Sequence, residues 1–130
     1  MNPTGKKVLV VDDDRHHLAI VTKLLHANGY RVATAETSAE AVHRNFDYRP
    51  DLVILDIMMP GFDGYSACMA MRELQPGLPI VILSAKDAPA DIREGLDWGA
   101  TRYLTKPFDP DELLRLIDAL LGAPSDQPSA

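Results

Sequence analysis

Asp56 closes the apolar run Leu52 to Leu55, and Asp12, Asp13 and Asp14 close an earlier run, Val8 to Val11. Short β-branched runs bounded by turn signals read as buried parallel strands, so each acid falls where its strand emerges at the carboxyl edge of a sheet. Ligands of open α/β sheets bind at that edge. Carboxylates gathered there repel one another unless a cation sits among them. An all-oxygen site suits Mg²⁺, which keeps part of its water shell and favours phosphate-bearing substrates. Ser84 follows the run Pro79 to Leu83, and Lys106 follows Tyr103 and Leu104 and precedes Pro107, so both fall on the same edge. The carboxylates of Asp12, Asp13 and Asp56 then balance one Mg²⁺ and the Lys106 ammonium. An arriving phosphoryl group would meet a neutral site, which is the electrostatic condition for attack by a carboxylate. The set points to phosphate chemistry on an aspartate.

The elements that must position these residues follow from the patterning. Five strand-like runs, Val8 to Val11, Arg31 to Ala35, Leu52 to Leu55, Ile80 to Leu83 and Thr101 to Leu104, alternate with segments of helical period. That alternation predicts an α/β sandwich with a parallel sheet and right-handed crossovers. Leu18, Val21 and Leu25 recur at helical spacing behind Asp14, a candidate N-cap, with Gly29 as the stop. Thr37 and Glu40 stand in capping-box spacing, and Asp109, Pro110 and Glu112 combine a cap, a first-turn proline and a reciprocal acid. Asp63 is the expected cap of the third helix, while Pro89 and Gly99 bound the fourth.

With 130 residues, 46% hydrophobic and 25% charged, the chain has the composition of one ordinary soluble globular domain. A net charge of −6 argues against a surface that binds nucleic acid or anionic lipid by itself. The single Cys68 cannot form an internal disulfide, and the apolar stretch behind Lys6 and Lys7 is too short for a signal-peptide core. No stretch approaches the length of a membrane span, so a cytoplasmic location is expected by default. From Gly122 onward the sequence has no periodicity and reads as a linker or tail over 122–130.

The stretches Val8-Leu-Val-Val-Asp-Asp-Asp14, Asp51-Leu-Val-Ile-Leu-Asp-Ile-Met-Met-Pro-Gly-Phe-Asp-Gly64, Pro79-Ile-Val-Ile-Leu-Ser-Ala85 and Gly99-Ala-Thr-Arg-Tyr-Leu-Thr-Lys-Pro-Phe108 occur in order. Together they resemble the receiver domain of two-component response regulators over residues 6–121. The resemblance implies a flavodoxin-like doubly wound parallel sheet, (βα)5 in three layers, of strand order 2-1-3-4-5. It also implies that Asp56 is the phosphoacceptor. Asp13 would be a direct Mg²⁺ ligand together with Asp56, Asp12 would act mainly through a bound water, and the backbone carbonyl of Met58 would complete the protein's share, with Mn²⁺ able to substitute. Lys106 would contact a phosphoryl oxygen, the Lys106–Pro107 bond would be cis, and Ser84 and Tyr103 would form the switch, with Tyr103 swinging inward from an exposed position. The implied partners are a sensor histidine kinase or histidine phosphotransfer protein as donor, and a C-terminal output domain or downstream protein as receiver of the signal. Such a domain assists its own phosphorylation and dephosphorylation without being an independent turnover enzyme. It is a monomer or a phosphorylation-dependent homodimer. Many relatives fused to winged-helix domains carry an acidic pair before the switch tyrosine and an arginine in the last helix. Here Thr101, Arg102 and Leu116 hold those places, so the usual dimer face is not expected in that form.

Other readings fit less well. A haloacid-dehalogenase-like phosphatase needs a second acid two residues after its nucleophile, where Met58 stands, and a nucleotide-binding protein needs a glycine-rich phosphate loop that is missing. A phosphorylation-independent interaction module of the same fold typically lacks one of the acids or the lysine, and all are present here. His16 and His17 are adjacent and so face different ways on a helix, and His26 and His43 have no ligand partner at useful spacing, so all four are expected at the surface. Cys68, Met69 and Met71 read as core and flank of the third helix.

Overall fold

The computed structural model describes residues 5–56 and 64–122. Five strands, β1 (Lys7–Val11), β2 (Arg31–Ala35), β3 (Leu52–Leu55), β4 (Ile80–Ser84) and β5 (Arg102–Thr105), alternate with five helices. These are α1 (Arg15–Ala27), α2 (Ser38–Tyr48), α3 (Gly64–Leu74), α4 (Pro89–Asp97) and α5 (Pro110–Leu121). The strands form one parallel sheet of order β2-β1-β3-β4-β5. The last strand runs from Arg102 to Thr105 and not from Thr101, although the Thr101 N–H still donates to the Ile80 carbonyl at 2.7 Å. The Thr101 hydroxyl accepts from the Ile80 N–H at 3.1 Å and from Arg72 at 3.4 Å.

Successive strand residues point to opposite faces, and the two cores separate accordingly. Val8, Val10, Leu52, Ile54, Val81 and Leu83 pack with Leu18, Val21 and Leu25 of α1 and with Leu113 and Ile117 of α5. Leu9, Val11, Val53, Leu55, Ile80 and Ile82 pack with Ala41 of α2 and with Ala67, Cys68 and Met71 of α3, and the Tyr103 ring joins them. Helices therefore cover both faces, and the sheet is buried as a parallel sheet must be. Met69, unlike Cys68 and Met71, is exposed at the flank.

Local signals in the sequence set most helix ends. The Asp14 carboxylate accepts from the His16 and His17 N–H groups, which holds its ionisation below the usual carboxylate range. The Thr37 hydroxyl caps α2 by accepting from the Glu40 N–H, while the Glu40 carboxylate reaches past the cap to the Glu36 N–H. Asp109 caps α5 through the Asp111 N–H, with Pro110 in the first turn. Pro89 opens α4 behind Ala88, which supplies no side-chain cap, and Gly99, at φ 117°, makes the turn after it. At the opposite edge from the acids, Arg72 ties α3 to the rest by donating to the carbonyls of Pro76, Leu78 and Gly99. The expected Asp63 cap lies outside the described residues.

Candidate functional site

The sheet ladder continues one residue past the strands and thereby fixes the backbone of the functional residues. The Asp12 N–H donates to the Ala35 carbonyl at 3.0 Å, the Asp56 N–H to the Val11 carbonyl at 3.0 Å, and the Lys106 N–H to the Ser84 carbonyl at 2.8 Å. Asp12 continues the alternation of Val8 and Val10, Asp56 that of Leu52 and Ile54, and Lys106 follows Leu104, so all belong to the face covered by α1 and α5. Ser84 follows Ile80 and Ile82 and belongs with Tyr103 to the face of α2, α3 and α4. The site has two sides, an acidic pocket and a hydroxyl pair, separated by the thickness of the sheet edge.

In the acidic pocket Lys106 Nζ lies 2.9 Å from Asp56 Oδ2 and 3.6 Å from Asp12 Oδ2. Both carboxylates are buried, Asp12 at 2% and Asp56 at 7% exposure, so they are removed from most of the water that would otherwise stabilise them. One ammonium therefore serves two acids. The Asp12 Oδ1 also accepts from the Asp14 N–H at 3.0 Å, while Asp13 stands exposed at the mouth. The excess negative charge of three acids over one lysine is what a hard divalent cation with oxygen preference would neutralise, so the donor set fits Mg²⁺. Among the described residues no three His, Cys, Asp or Glu side chains enclose a metal site by themselves. Met58, the expected carbonyl ligand, lies outside the described residues.

His17 corrects the surface reading of the histidines. Its ring is largely covered, its Nδ1 sits 2.6 Å from Asp12 Oδ2, and its edge meets the Phe108 ring at a centroid distance of 5.9 Å. Because an ionised carboxylate only accepts, Nδ1 is the donor. A signal was available in the sequence, since His17, Val21 and Leu25 form an i, i+4, i+8 series on the sheet-facing stripe of α1. His16, His26 and His43 are exposed as expected.

On the other side, Ser84 is fully buried and its Oγ accepts from the Lys86 N–H at 3.1 Å. The Tyr103 hydroxyl donates to the Lys86 carbonyl at 2.7 Å. Burial pushes the Tyr103 phenol above its usual range, a hydrogen bond with Ser84 opposes this, and the charges of Asp91, Asp56 and Asp87 add to the rise. Tyr103 sits between the exposed position expected before the switch and a fully inward one. Its ring is half-buried against Gly95 of α4, whose missing Cβ leaves the space. The Lys106–Pro107 peptide bond is cis.

The comparisons with known proteins agree with this architecture. The response regulator receiver domain profile matches residues 8–118. The response regulator MprA of Mycobacterium sp. (strain KMS) is 44% identical over 115 residues, covering 88% of this chain and 50% of the relative. The alkaline phosphatase synthesis transcriptional regulatory protein PhoP of Bacillus subtilis (strain 168) is 39% identical over 128 residues, 95% of this chain and 53% of the relative. The chain thus spans about half the length of these relatives. Among solved structures, the receiver domain of the Francisella response regulator 1452 superposes with a TM-score of 0.84 at 34% identity, covering 92% of this chain and 98% of that one. By profile, sequence and fold, the chain belongs to the response regulator receiver domain family, the phosphorelay receivers of two-component systems.

Proposed function

We propose that Asp56 accepts a phosphoryl group from a phosphohistidine on a sensor kinase or phosphotransfer protein, and that Ser84 and Tyr103 convert its arrival into a change at α4. The observation that carries this reading is the Lys106 ammonium shared between Asp56 at 2.9 Å and Asp12 at 3.6 Å. A lysine so held is already at the point where negative charge will grow, and needs little rearrangement to meet it. Mg²⁺ would be held by Asp13 and Asp56, by Asp12 through water and by the Met58 carbonyl, and when bound it would neutralise charge on the phosphoryl oxygens.

An Asp56 carboxylate oxygen attacks phosphorus as the bond to the donor imidazole nitrogen breaks, and that nitrogen keeps the electron pair. Lys106 follows the transferred charge from the carboxylate to a phosphoryl oxygen. Ser84 turns its hydroxyl to another, giving up its contacts with the Lys86 N–H and Tyr103. Residue 86 links the two halves of the switch, because its N–H meets Ser84 while its carbonyl meets Tyr103. Releasing one bond loosens the other, and Tyr103 shifts against Gly95. The outcome is a change in the population of two arrangements of α4 and β5.

Intact-mass measurement with acetyl phosphate and Mg²⁺ tests the acceptor. Wild-type protein should gain one phosphoryl mass and Asp56→Asn none. Equal labelling of both would move the acceptor elsewhere.

A further inference from the structure

We infer that His17 is a positioning residue for the acidic pocket: it holds the Asp12 carboxylate in the orientation that lets it take part in Mg²⁺ binding. This rests on the proposed metal-binding role of Asp12.

Asp12 is almost completely buried and each of its two oxygens has its own partner, Oδ1 the Asp14 N–H at 3.0 Å and Oδ2 His17 Nδ1 at 2.6 Å. The first of these donors is backbone at the start of α1, and the second is a side chain one turn further along the same helix. Both therefore move with α1. The ring itself is kept in place by the edge contact with Phe108, which lies just beyond Lys106 and Pro107. His17 thus spans from the loop that carries the lysine to the acid that the lysine also approaches.

The alternative partner for Asp12 Oδ2 is Lys106, whose Nζ is 3.6 Å away and nearer to Asp56. Without His17 the carboxylate can rotate toward that ammonium and form a closer pair. Such a pair would compete with a cation for the same oxygen and draw Lys106 away from Asp56. The histidine donor satisfies Oδ2 from the α1 side and keeps the carboxylate plane fixed between the two. Outer partners of metal-binding groups commonly change metal affinity by about 10–100-fold, and the lower end applies where the carboxylate acts through water.

The test is calorimetric titration of Mg²⁺ into the wild type, His17→Ala, His17→Phe and His17→Asn. His17→Phe keeps a ring against Phe108 but has no donor, whereas the Asn amide can present its Nδ2 near the position of Nδ1. His17→Ala and His17→Phe should weaken Mg²⁺ binding by about tenfold, and His17→Asn should restore most of it. In an Asp12→Asn background, His17→Ala should produce no further loss, because its effect runs through that carboxylate. Unchanged or tighter Mg²⁺ binding in His17→Phe, with circular dichroism showing the fold retained, would overturn the inference. So would an equal loss in His17→Asn, or a full additional loss in the Asp12→Asn background. Failure of the wild type itself to bind Mg²⁺ would instead refute the proposed metal site.

Discussion

Gly95 lies on α4 with its Cα over the sheet, and a Cβ added there would stand 2.8 Å from Ile82 Cδ1 and 3.0 Å from both Cδ2 and Cε2 of the Tyr103 ring. Carbon atoms prefer separations of about 3.5–4.0 Å, so Gly95→Ala forces neighbours to move by about half an ångström or more. Ile82 is wholly buried in β4 and can adjust only its terminal methyl, whereas Tyr103 is half-buried and can swing toward solvent. Alanine in a helix interior gains about 1 kcal/mol over glycine. Overpacking costs about 1–3 kcal/mol, and release of the Tyr103 hydroxyl from the Lys86 carbonyl costs about 1 kcal/mol more. The clash should win, with a net loss of about 1–3 kcal/mol, each kcal/mol lowering Tm by about 3–5 °C. In a Tyr103→Ala background only the Ile82 methyl contact remains, so the same substitution should cost less by about 1 kcal/mol or more, which is the coupling read in a double-mutant cycle. Urea unfolding of the four proteins measures it. Trp98, at the C-terminal end of α4, adds a functional readout: its emission should respond to beryllofluoride with Mg²⁺ in the wild type and respond weakly in Gly95→Ala. Additive stability effects together with an undiminished Trp98 response would refute the contact and the switch built on it.

Asp13→Asn should weaken Mg²⁺ binding by removing a charged ligand, whereas Lys106→Ala should leave the metal bound, or bound more tightly, while losing the phosphorylation-driven response; calorimetry with Mg²⁺ and Trp98 emission with beryllofluoride separate the two. The Tyr30 hydroxyl donates to the Asp118 carboxylate, and burial first, then that carboxylate, push its phenol well above the ordinary value of 10.0. A raised phenol stabilises the fold below that value and loses its contribution as pH climbs above it, so Tm should fall with a steeper slope above about pH 10 in the wild type than in Tyr30→Phe. Parallel Tm profiles for the two proteins would show that Tyr30 is not the group responsible.

The fold was legible because each β-branched run is short and bounded, and because period-two alternation on buried strands leaves few ways to pack helices on both sides. The strand-end positions of Asp12, Asp56, Ser84 and Lys106 follow from the same runs. Order along the sheet is different: periodicity says that strands exist, while which strands pair depends on long-range packing, and here the family resemblance supplied 2-1-3-4-5. Capping was readable at Asp14, Thr37 and Asp109, since each cap binds N–H groups only two or three residues ahead.

Contacts that depend on how elements dock were not legible in that way. His17 looked like a surface residue beside His16. Its bond to Asp12 exists because α1 packs with Val21 and Leu25 against the same face of β1 toward which Asp12 points. Tyr103 was expected outside, and its half-buried ring depends on the Gly95 gap that α4 brings over β5. Thr101 was read as the start of a strand and as a place lacking an acid, yet its hydroxyl serves the Ile80 N–H and Arg72 across two other elements. The chemical identity of the site was thus determined by residues at strand ends, which local sequence specifies. Which groups hold those residues still was decided by tertiary packing, because a hydrogen bond of about 3 Å requires two elements to meet at one angle, and no local pattern encodes that angle.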